Sequence, residues 1–504
     1  MTAPPLLIVT CPGRTLEAVR AEVQQARDGG ADIAEVRIDR LPQHQQEDLG
    51  QLFPSPLPLL AALRSTTEGG EGPEDPVVRG RLLRAAHRLG FHLLDLELER
   101  DGPLVAEFSD PPRSSPRLVL SAHLPDGVPT AEIRRVLERA RPPGAVVKVV
   151  LPCSYPKLWG ELLPELSPFD DYAPYVLHTT GPTGPLLRAW AGRLGMYAVY
   201  SAPPEQPPGI QPAAVEPTQI PVDRLRRYVS GGAHGPLFGV TGHPVLHSRS
   251  PAIHSLWCGA ESRHGLYLAL DTPTGEDFAQ CLAPLSERGF RGLNVTHPWK
   301  QIALSVANRA GPAAESAGCA NTLTFDPDGI TADNTDVAAV RRRLTELRAS
   351  GVWDDSPVVV LGAGGAARST LSALGSLGGA GVVRARRSGA VEPLVRDYGA
   401  TMSRERSHGP ARLVVHATPA GREGEAPLSF DWHDLVGPGT HVLDFVYAPA
   451  NPYLRQEAEA RGATYEDGSR LLVYQAAESY GIWWGSAPSA ELQDRALREV
   501  MCAA

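Results

Sequence analysis

The first 230 residues alternate short apolar runs with amphipathic segments, and this alternation constrains the fold more than any other feature of the chain. Helical patterning fills most of the gaps, as in Leu16–Arg27, Val77–Leu89, Thr130–Ala140 and Leu186–Leu194, and Val222–Val229 is predicted as the last helix. Because eight strand–helix repeats in about 220 residues are typical of a closed (β/α)8 TIM barrel, we predict that fold, with an open doubly wound sheet as the alternative. The predicted strands are Leu6–Cys11, Ile33–Ile38, Leu59–Leu63, Leu93–Leu98, Leu118–Ala122, Val146–Leu151, Tyr175–His178 and Tyr197–Ser201.

Beyond the predicted barrel the α/β pattern starts again. Residues 231–236 form a short glycine-rich linker, after which Leu237–Val240 is predicted as a strand. The proline-rich residues 203–217 are predicted to form a mobile surface loop. The chain is therefore expected to contain more than one α/β domain.

Composition excludes several classes of function. The formal charge is -9 at pH 7, so no overall positive field attracts nucleic acid or an anionic membrane, and neither is an expected partner. No stretch approaches the roughly 18 apolar residues of a membrane span, and the apolar run Leu6–Val9 is too short for a signal peptide. The six cysteines are scattered without a CxxC pair or a zinc-type cluster, which indicates no metal site and a reducing, cytoplasmic location.

Lysine is rare, since Lys148, Lys157 and Lys300 are the only three lysines among 48 basic residues. Arginine stays protonated and cannot form an imine, whereas a desolvated lysine can lose its proton and act as a nucleophile or an acid–base group. The three lysines are therefore candidates for chemistry that arginine cannot perform. The alternative is that they are incidental.

Lys148 lies within the β-branched strand Val146–Val150, where burial of a charged ammonium is costly and the free amine is favoured. A neutral amine at the mouth of a barrel is suited to imine formation with a ketone, although a lysine that extends from an edge strand to solvent is the alternative. Residues at the carboxyl ends of barrel strands converge on one site. The polar residues expected there are Glu35, Arg37, Arg64, Glu68 and His123.

This pattern resembles the type I 3-dehydroquinate dehydratases, over about residues 6–229. The resemblance implies that Lys148 forms a Schiff base with the ketone of 3-dehydroquinate. It also implies that His123, oriented by Glu68, removes the neighbouring proton and then protonates the departing hydroxyl. Three residues would hold the hydroxyls and the carboxylate of the substrate: Glu35, Arg37 and Arg64. The matching motifs are Glu35–Asp39, Leu63–Gly70, Ser121–His123 and the Lys148 strand.

The resemblance weakens toward the end of the barrel. Residues 181–188 keep the family's glycine spacing and its carboxylate-binding arginine, Arg188, but lack the serine before that arginine. The family's Ser-Ala-Pro-Gly-Gln element aligns with Glu216–Gln219, where only the substrate-binding glutamine, Gln219, is retained. A rival alignment uses Ser201–Pro203 with Gln206. Both alignments imply an altered loop over the substrate.

In the second half, strand Val358–Leu361 runs into a glycine-rich turn of the kind that seats a dinucleotide pyrophosphate on a helix N-terminus. The predicted cofactor-binding residues of this turn are Gly362, Ala363, Gly364, Gly365 and Ala366. The next strand ends in Arg386, Arg387 and Ser388 without an acidic residue, which favours NADP(H) because arginine accommodates a 2′-phosphate. A solvated basic loop is the alternative.

Further motifs offer hydroxyls, amides and a lysine–carboxylate pair, and together they resemble shikimate dehydrogenase over about residues 236–504. The motifs are Gly242–Pro251, Asn294–Lys300, Asn321–Thr322, Asp333–Asp336, Asp444–Pro449 and Gly468–Ala477, each of which alone would also suit a turn. The resemblance implies that Lys300 and Asp336 are the catalytic pair. The implied substrate-binding residues are Ser248, Ser250, Thr296, Asn321, Tyr447 and Gln475. His416 departs from the family, which has asparagine there.

These resemblances predict a bifunctional enzyme that dehydrates 3-dehydroquinate to 3-dehydroshikimate and then reduces 3-dehydroshikimate to shikimate with NADPH. Two alternatives stay open: a second half that prefers quinate, and a barrel that has lost turnover and serves as a binding or regulatory module. The expected domains are the barrel (1–230), the linker (231–236), a shikimate dehydrogenase-like substrate-binding domain (237–340), a Rossmann NADP-binding domain (341–467) and C-terminal helices that return to the substrate-binding domain (468–504).

Overall fold

The chain forms two compact units, of which the first comprises residues 1–206, 210–236 and 263–266 and the second the remainder. The computed structural model describes residues 4–109, 117–139, 141–166, 172, 174–204, 216, 218–230, 235–403, 409–421, 426, 428, 431–447 and 452–501. Most of the predicted loop 203–217 and residues 231–234 of the predicted linker lie outside these residues. Within the described ranges, no helix is both long and apolar enough to cross a membrane.

The first unit is built on eight parallel strands. Each strand from the first to the sixth pairs with its successor, and the eighth pairs with the first. The seventh and eighth meet where the Tyr197 N–H donates to the Tyr175 carbonyl at 2.8 Å. The sheet is thus a nearly closed barrel, which confirms the predicted fold and rules out an open doubly wound sheet. The strands are β1 (Leu6–Cys11), β2 (Ile33–Arg37), β3 (Leu59–Ala62), β4 (Leu93–Glu97), β5 (Arg117–His123), β6 (Val146–Pro152), β7 (Tyr175–Thr180) and β8 (Ala198–Ser201).

The helices of the first unit follow the strands. Asp75 caps α3 by accepting hydrogen bonds from the Val77 and Val78 N–H groups. The predicted helix Leu186–Leu194 is wrong in its bounds, because α8 begins at Gly184 with Pro185 in its first turn, where proline is favoured, and ends at Ala189. The helices are α1 (Leu16–Asp28), α2 (Gln43–Gln46), α3 (Pro76–Leu89), α4 (Gly102–Ser109), α5 (Thr130–Glu138), α6 (Tyr155–Lys157), α7 (Leu163–Glu165), α8 (Gly184–Ala189) and α9 (Val222–Ser230).

The barrel interior changes from apolar to polar along the strands. Because side chains alternate between the two faces of a strand, residues two apart share a face. Inside the barrel, Val146 is thus followed by Lys148, and Val176 by His178. The interior side chains therefore form an apolar layer nearer the amino ends of the strands and a charged layer nearer their carboxyl ends. The apolar layer consists of Ile8, Ile33, Leu60, Ala62, Leu93, Val119, Val146, Val176, Ala198 and Tyr200.

The second unit begins with a mixed six-stranded sheet in the order β10-β9-β11-β13-β14-β12. Its strands are β9 (Leu237–Gly242), β10 (Leu266–Asp271), β11 (Phe290–Val295), β12 (Arg309–Ala310), β13 (Thr322–Asp326) and β14 (Gly329–Asp333). Its helices are α10 (Ser250–Ala260), α11 (Gly275–Glu287), α12 (Lys300–Ser305) and α13 (Pro312–Ala317).

The helix α14 (Thr335–Ala349) leads to a second sheet, which is fully parallel and has the order β17-β16-β15-β18-β19-β20. The strand order reverses between β15 and β18, and ligands of such sheets bind at the carboxyl ends of the strands next to this point. The strands are β15 (Val358–Leu361), β16 (Gly381–Arg384), β17 (Thr401–Met402), β18 (Leu413–His416), β19 (His441–Asp444) and β20 (Thr464–Glu466). The helices are α15 (Gly365–Ser376), α16 (Glu392–Tyr398), α17 (Pro452–Ala460), α18 (Ser469–Trp484) and α19 (Ala490–Ala496).

A buried arginine in the barrel allows a test of stability. Arg79 on α3 is inaccessible to solvent, and its Nε and Nη2 donate to the two carboxylate oxygens of Asp101 at 3.0 and 2.7 Å. Substitution of Arg79→Met leaves a buried carboxylate without its counter-charge, so we expect the free energy of unfolding of the barrel to fall by about 3–5 kcal/mol.

The measurement is hydrogen exchange of the barrel-strand peptides across a urea series. Arg81→Met is the control, because the Arg81 side chain on the same helix is 57% exposed and makes a surface ion pair with Glu47. A loss for Arg79→Met that does not exceed the loss for Arg81→Met would contradict the assigned role of the buried pair.

Candidate active sites

Lys148 is buried in the barrel between two carboxylates and an aromatic ring. Its Nζ donates to Asp95 Oδ2 at 2.7 Å and lies 3.8 Å from Glu35 Oε1. The same Nζ stands 4.4 Å from the centroid of the Tyr200 ring, within the range of a cation–π contact. Asp95 accepts a second hydrogen bond, from Ser121 Oγ at 2.5 Å.

The apolar sequence around Lys148 gave no indication of these two carboxylates. Asp95 lies two residues beyond Leu93 on β4 and faces the barrel interior. A buried ammonium requires a partner of opposite charge, and Asp95 provides it. The signal that could have revealed Asp95 was the one that revealed Lys148, namely a charged residue within an apolar strand.

His123 and Glu68 form a pair above Lys148. The His123 Nδ1 lies 2.6 Å from Glu68 Oε2, and within the described residues its Nε2 has no hydrogen-bond partner. Burial, and after it the positive charge of Arg64, lowers the pKa of His123 well below its ordinary value. Burial, and then the negative charge of Glu97, raises the pKa of Glu68 to about 8. The imidazole is therefore neutral, and when Glu68 is ionised and accepts the Nδ1–H, the lone pair of Nε2 is available as a base.

The other predicted residues of the barrel site also lie at the carboxyl ends of the strands. Glu35 is buried, and its Oε1 accepts no hydrogen bond from the described residues. Arg37 donates from Nε and Nη2 to the two oxygens of Asp39 at 2.8 and 2.7 Å, a partner that the sequence analysis did not identify. Arg64 is half-buried at the end of β3, close enough to His123 to influence its titration.

Arg188 is buried and binds neutral oxygens instead of a carboxylate. Its Nη1 donates to the carbonyls of Thr179 and Gly184 and to Thr218 Oγ1, at 3.1, 2.9 and 3.2 Å. Burial lowers the pKa of Arg188 to about 10, which the negative charge of Glu216 only partly offsets. A buried guanidinium that is hydrogen-bonded only to neutral oxygens favours the binding of an anion.

Gln219 lies next to Thr218, immediately before a segment that pairs with the end of β8. The Ala202 N–H donates to the Ile220 carbonyl at 3.0 Å, and the Val222 N–H donates to the Ala202 carbonyl at 3.0 Å. This pairing brings Gln219 to the same end of the barrel as Arg188. Gln206, used by the rival alignment, lies outside the described residues.

In the second unit, a cavity of about 700 Å³ lies at the carboxyl end of β15. All eight predicted catalytic and substrate-binding residues of this unit line it: Ser248, Ser250, Thr296, Lys300, Asn321, Asp336, Tyr447 and Gln475. Seven of the eight predicted cofactor-binding residues line it as well: Gly362, Ala363, Gly364, Gly365, Ala366, Arg386 and Arg387. Ser388, the eighth, lies in an exposed turn and is not among the described residues that line the cavity.

Lys300 and Asp336 are paired in this cavity. Lys300 Nζ donates to Asp336 Oδ2 at 2.5 Å, and each residue lies in the first turn of its helix, α12 or α14. Burial by itself lowers the pKa of Lys300, but the attraction of Asp336 and the hydrogen bond to it outweigh burial and raise the pKa. Lys300 is therefore an ammonium that holds its proton near neutral pH and can act as an acid.

Polar side chains beside this pair are tied into one network. Asn321 Oδ1 accepts from the Thr335 N–H at 2.7 Å, and Asn321 Nδ2 donates to Thr335 Oγ1 at 3.0 Å. Gln475 Oε1 lies 3.5 Å from Asn321 Nδ2. Asn294 also lines the cavity and donates to Thr322 Oγ1 at 3.1 Å, although the sequence analysis did not propose it as a site residue. The network orders the hydroxyl and amide groups that face the cavity.

The glycine-rich turn is shaped for a close ligand. Gly362 has a left-handed φ of 122°, and a Cβ there would stand 2.7 Å from the Ala417 carbonyl oxygen. A Cβ on Gly364 would meet no atom within 4 Å, so the backbone before α15 is open to an approaching group. A Cβ on Gly365 would lie 3.0 Å from Lys300 Cδ, which shows how closely the turn approaches the lysine. These features fit a dinucleotide pyrophosphate on the N-terminus of α15.

His416 supports the far wall of the cavity without lining it. The residue is fully buried; its Nδ1 lies 2.7 Å from Asp444 Oδ1 and its Nε2 2.6 Å from Thr418 Oγ1. Thr418 lines the cavity, and the sequence analysis did not single it out. The histidine therefore acts on the site through the position of Thr418.

Two different family models match the two halves of the chain. A model of the type I 3-dehydroquinase family matches residues 7–230, and a model of the shikimate dehydrogenase substrate-binding domain matches residues 240–323. The shikimate dehydrogenase (NADP(+)) of Acidiphilium cryptum is 39% identical over 260 residues, which cover 51% of this chain and 92% of that protein. The shikimate dehydrogenase (NADP(+)) of Dinoroseobacter shibae is 38% identical over 274 residues, which cover 52% of this chain and 98% of that protein.

Two solved structures are also similar. Shikimate 5-dehydrogenase from Thermus thermophilus is 32% identical, with a TM-score of 0.47, over 53% of this chain and 100% of its own. Dehydroquinate dehydratase and shikimate dehydrogenase from S. pombe AroM is 21% identical, with a TM-score of 0.42, over 98% of this chain and 99% of its own. From the family models and the curated relatives, the chain belongs to the shikimate dehydrogenase family and carries a type I 3-dehydroquinase domain in the same polypeptide.

Proposed function

We propose that the barrel dehydrates 3-dehydroquinate to 3-dehydroshikimate through an imine on Lys148, and that the second unit reduces 3-dehydroshikimate to shikimate with NADPH. The observation that carries the proposal is that two of the three lysines of the chain are each paired with a carboxylate, the buried Lys148 with Asp95 and the partly buried Lys300 with Asp336. The product of the first reaction is the substrate of the second, which gives a chemical reason for one polypeptide.

In the barrel, Lys148 is the nucleophile. Transfer of its proton to Asp95 frees the amine without adding net charge to the buried site. The amine attacks the ketone carbon, and loss of water yields a protonated imine that withdraws electrons from the neighbouring carbon. Glu35, which lies 3.8 Å from Lys148 Nζ, holds a substrate hydroxyl on the same side.

His123 moves the proton in the elimination. Its unpartnered Nε2 removes a proton from the carbon next to the imine, and the same nitrogen returns a proton to the departing hydroxyl. Glu68 orients the ring from Nδ1. Water then hydrolyses the imine and restores Lys148, so the net reaction removes one water. Four residues bind the remaining polar groups of the substrate: Arg37, Arg64, Arg188 and Gln219.

The second unit protonates and orients its substrate. Bound NADPH supplies the hydride. Lys300 donates a proton to the oxygen of the ketone, and Asp336 keeps that ammonium charged and in place. The glycine-rich turn holds the pyrophosphate, while Arg386 and Arg387 meet the 2′-phosphate. The carboxylate and hydroxyls of the substrate are bound by Ser248, Ser250, Thr296, Asn321, Tyr447 and Gln475.

We also propose a reducing, cytoplasmic location. Five cysteines lie within the described residues, and all five are free and buried. Free thiols that are not engaged in disulfides are typical of a reducing compartment.

The direct test is to incubate the full-length protein with 3-dehydroquinate and NADPH and to identify the products by chromatography. We expect shikimate from the wild type, 3-dehydroshikimate alone from Lys300→Met, and no turnover of 3-dehydroquinate by Lys148→Met. Borohydride should trap an adduct on Lys148 in the wild type. Lys157→Met is the control, because Lys157 donates to the Val128 carbonyl and belongs to neither site.

Other products would support the alternatives. Quinate as the only product would identify a quinate dehydrogenase. Reduction of 3-dehydroshikimate without any conversion or trapping of 3-dehydroquinate would favour a barrel that acts as a binding or regulatory module.

The Lys300–Asp336 pair predicts a pH effect. Because Asp336 raises the pKa of Lys300 against the effect of burial, Asp336→Asn leaves burial unopposed and lowers that pKa. The ammonium is then lost at a lower pH, so the alkaline limb of the kcat/KM profile for reduction should move to lower pH, with a loss of about 10- to 100-fold near pH 7. An alkaline limb that stays in place, measured from initial rates of NADPH oxidation, would contradict the role of Lys300 as the acid.

The two arginines at the end of β16 predict cofactor selectivity. The double substitution R386A/R387A removes charge-assisted contacts to a 2′-phosphate and should raise the KM for NADPH by about 100-fold while the KM for NADH changes little. Arg396→Ala is the control, because this arginine is 76% exposed on α16 and pairs with Asp397. Equal effects on the two cofactors would contradict selection by the 2′-phosphate.

A further inference from the structure

His178 is a second buried histidine in the barrel site, and the mechanism above does not use it. Parallel pairing aligns Val150 of β6 with His123 on one side and with His178 on the other. The two histidines therefore stand at the same level on the strands that flank the Lys148 strand. Each lies two residues beyond the level of Lys148, toward the carboxyl ends of the strands.

The ring of His178 faces the site. His178 shares a strand face with Val176 of the interior apolar layer, and its ring packs edge-on against the Tyr200 ring at 5.9 Å between centroids. The same Tyr200 ring lies 4.4 Å from Lys148 Nζ. Only 2% of His178 is exposed. The imidazole is therefore part of the wall around the reactive lysine.

The hydrogen bonds of His178 fix its tautomer. The Tyr200 N–H donates to His178 Nε2 at 3.1 Å, so the lone pair of Nε2 is engaged. The proton of the neutral ring must then reside on Nδ1. Burial, followed by the positive charge of Arg188, lowers the pKa of His178 well below its ordinary value, which agrees with a neutral ring. His123 presents a free acceptor to the site, whereas His178 presents a free donor.

That donor makes no well-formed hydrogen bond with the described residues, although the backbone of Leu177 lies close enough to the ring to raise its pKa against the effect of burial. Within the described residues, neither His178 Nδ1 nor Arg188 Nε makes a hydrogen bond, although both side chains are at least 97% buried, with exposures of 2% and 3%. Arg188 is close by, since its Nη1 donates to the carbonyl of Thr179, the residue after His178. A buried donor without an acceptor is costly, and an acceptor group on a bound ligand would remove that cost. Two neighbouring donors and a guanidinium charge suit an oxyanion.

We propose that His178 binds the carboxylate of the barrel substrate through its Nδ1–H, beside Arg188. The inference rests on the proposed dehydratase reaction and adds a specificity residue to it. His178 is a fixed donor and not a second base, because its only lone pair is engaged by the Tyr200 backbone. The carboxylate held in this way keeps the reacting carbon near His123 and the ketone near Lys148.

The test compares 3-dehydroquinate with its methyl ester in full-length His178→Leu. Loss of a hydrogen bond to a charged group should lower kcat/KM for the acid by about 10- to 100-fold relative to the ester. The substitution also frees the Tyr200 N–H, but that structural effect acts on both substrates equally, so the ratio isolates the carboxylate contact. His178→Asn places an amide donor near the position of Nδ1 and should recover most of the selectivity for the acid.

Two further measurements sharpen the assignment. The limbs of the pH profile should stay in place in His178→Leu, because a neutral donor does not titrate. His92→Leu is the matched control, since His92 also accepts a backbone N–H, from Leu59, but lies next to the first residue of β4, at the opposite end of the barrel. His178→Met replaces the leucine variant if the latter fails to fold, as judged by borohydride trapping on Lys148.

Several outcomes would overturn the inference. Equal losses for the acid and the ester would make His178 a structural residue. A loss of more than about a thousandfold with imine trapping retained would make it a second base. A wild type that does not convert 3-dehydroquinate would instead overturn the proposed dehydratase function, whereas an active wild type with unchanged His178 variants would overturn this inference alone.

Discussion

The register of parallel strands is the constraint on which both sites depend. Parallel pairing places all carboxyl ends of a sheet at one edge, and the period of two sends alternate side chains to one face. In the barrel this sets Lys148 level with Ser121, and both His123 and His178 level with Val150. A slip of one residue on β6 would turn Lys148 out of the barrel and separate it from Asp95. The relative positions of Lys148, His123 and His178 are thus fixed by the pairing of the barrel strands.

Buried charges in this protein come in pairs. Lys148 with Asp95, Arg79 with Asp101 and Lys300 with Asp336 each avoid the cost of an isolated charge in a dry interior. Among the buried polar atoms of the barrel that make no hydrogen bond within the described residues are Glu35 Oε1, His178 Nδ1 and Arg188 Nε. Polar groups on a bound ligand would satisfy these three atoms, which lie at the end of the barrel where the reactive lysine stands.

The strands were predictable because hydrophobic periodicity is strong in both units, and the observed strand bounds of the barrel differ from the predicted bounds by at most two residues at either end. The charged residues at strand ends were predictable for the same reason. Asp95 within an apolar strand and His178 at the end of a predicted strand carried the same signals as Lys148 and His123, but the sequence did not show which side chains they contact. The salt bridge between Arg37 and Asp39 also escaped prediction, because only the 3₁₀ turn after β2 brings the two side chains together.

The two lysines show how one arrangement serves two reactions. Both donate to an aspartate, so the pair alone does not determine whether nitrogen attacks carbon or donates a proton. What differs is the neighbour. The glycine-rich turn stands against Lys300, where a Cβ on Gly365 would lie 3.0 Å from Lys300 Cδ, so in the proposed reaction the dinucleotide supplies hydride to the ketone carbon and Lys300 protonates the oxygen. The described neighbours of Lys148 Nζ are two carboxylates and the Tyr200 ring, so in the proposed reaction Asp95 takes the proton of the ammonium and the nitrogen attacks the carbon.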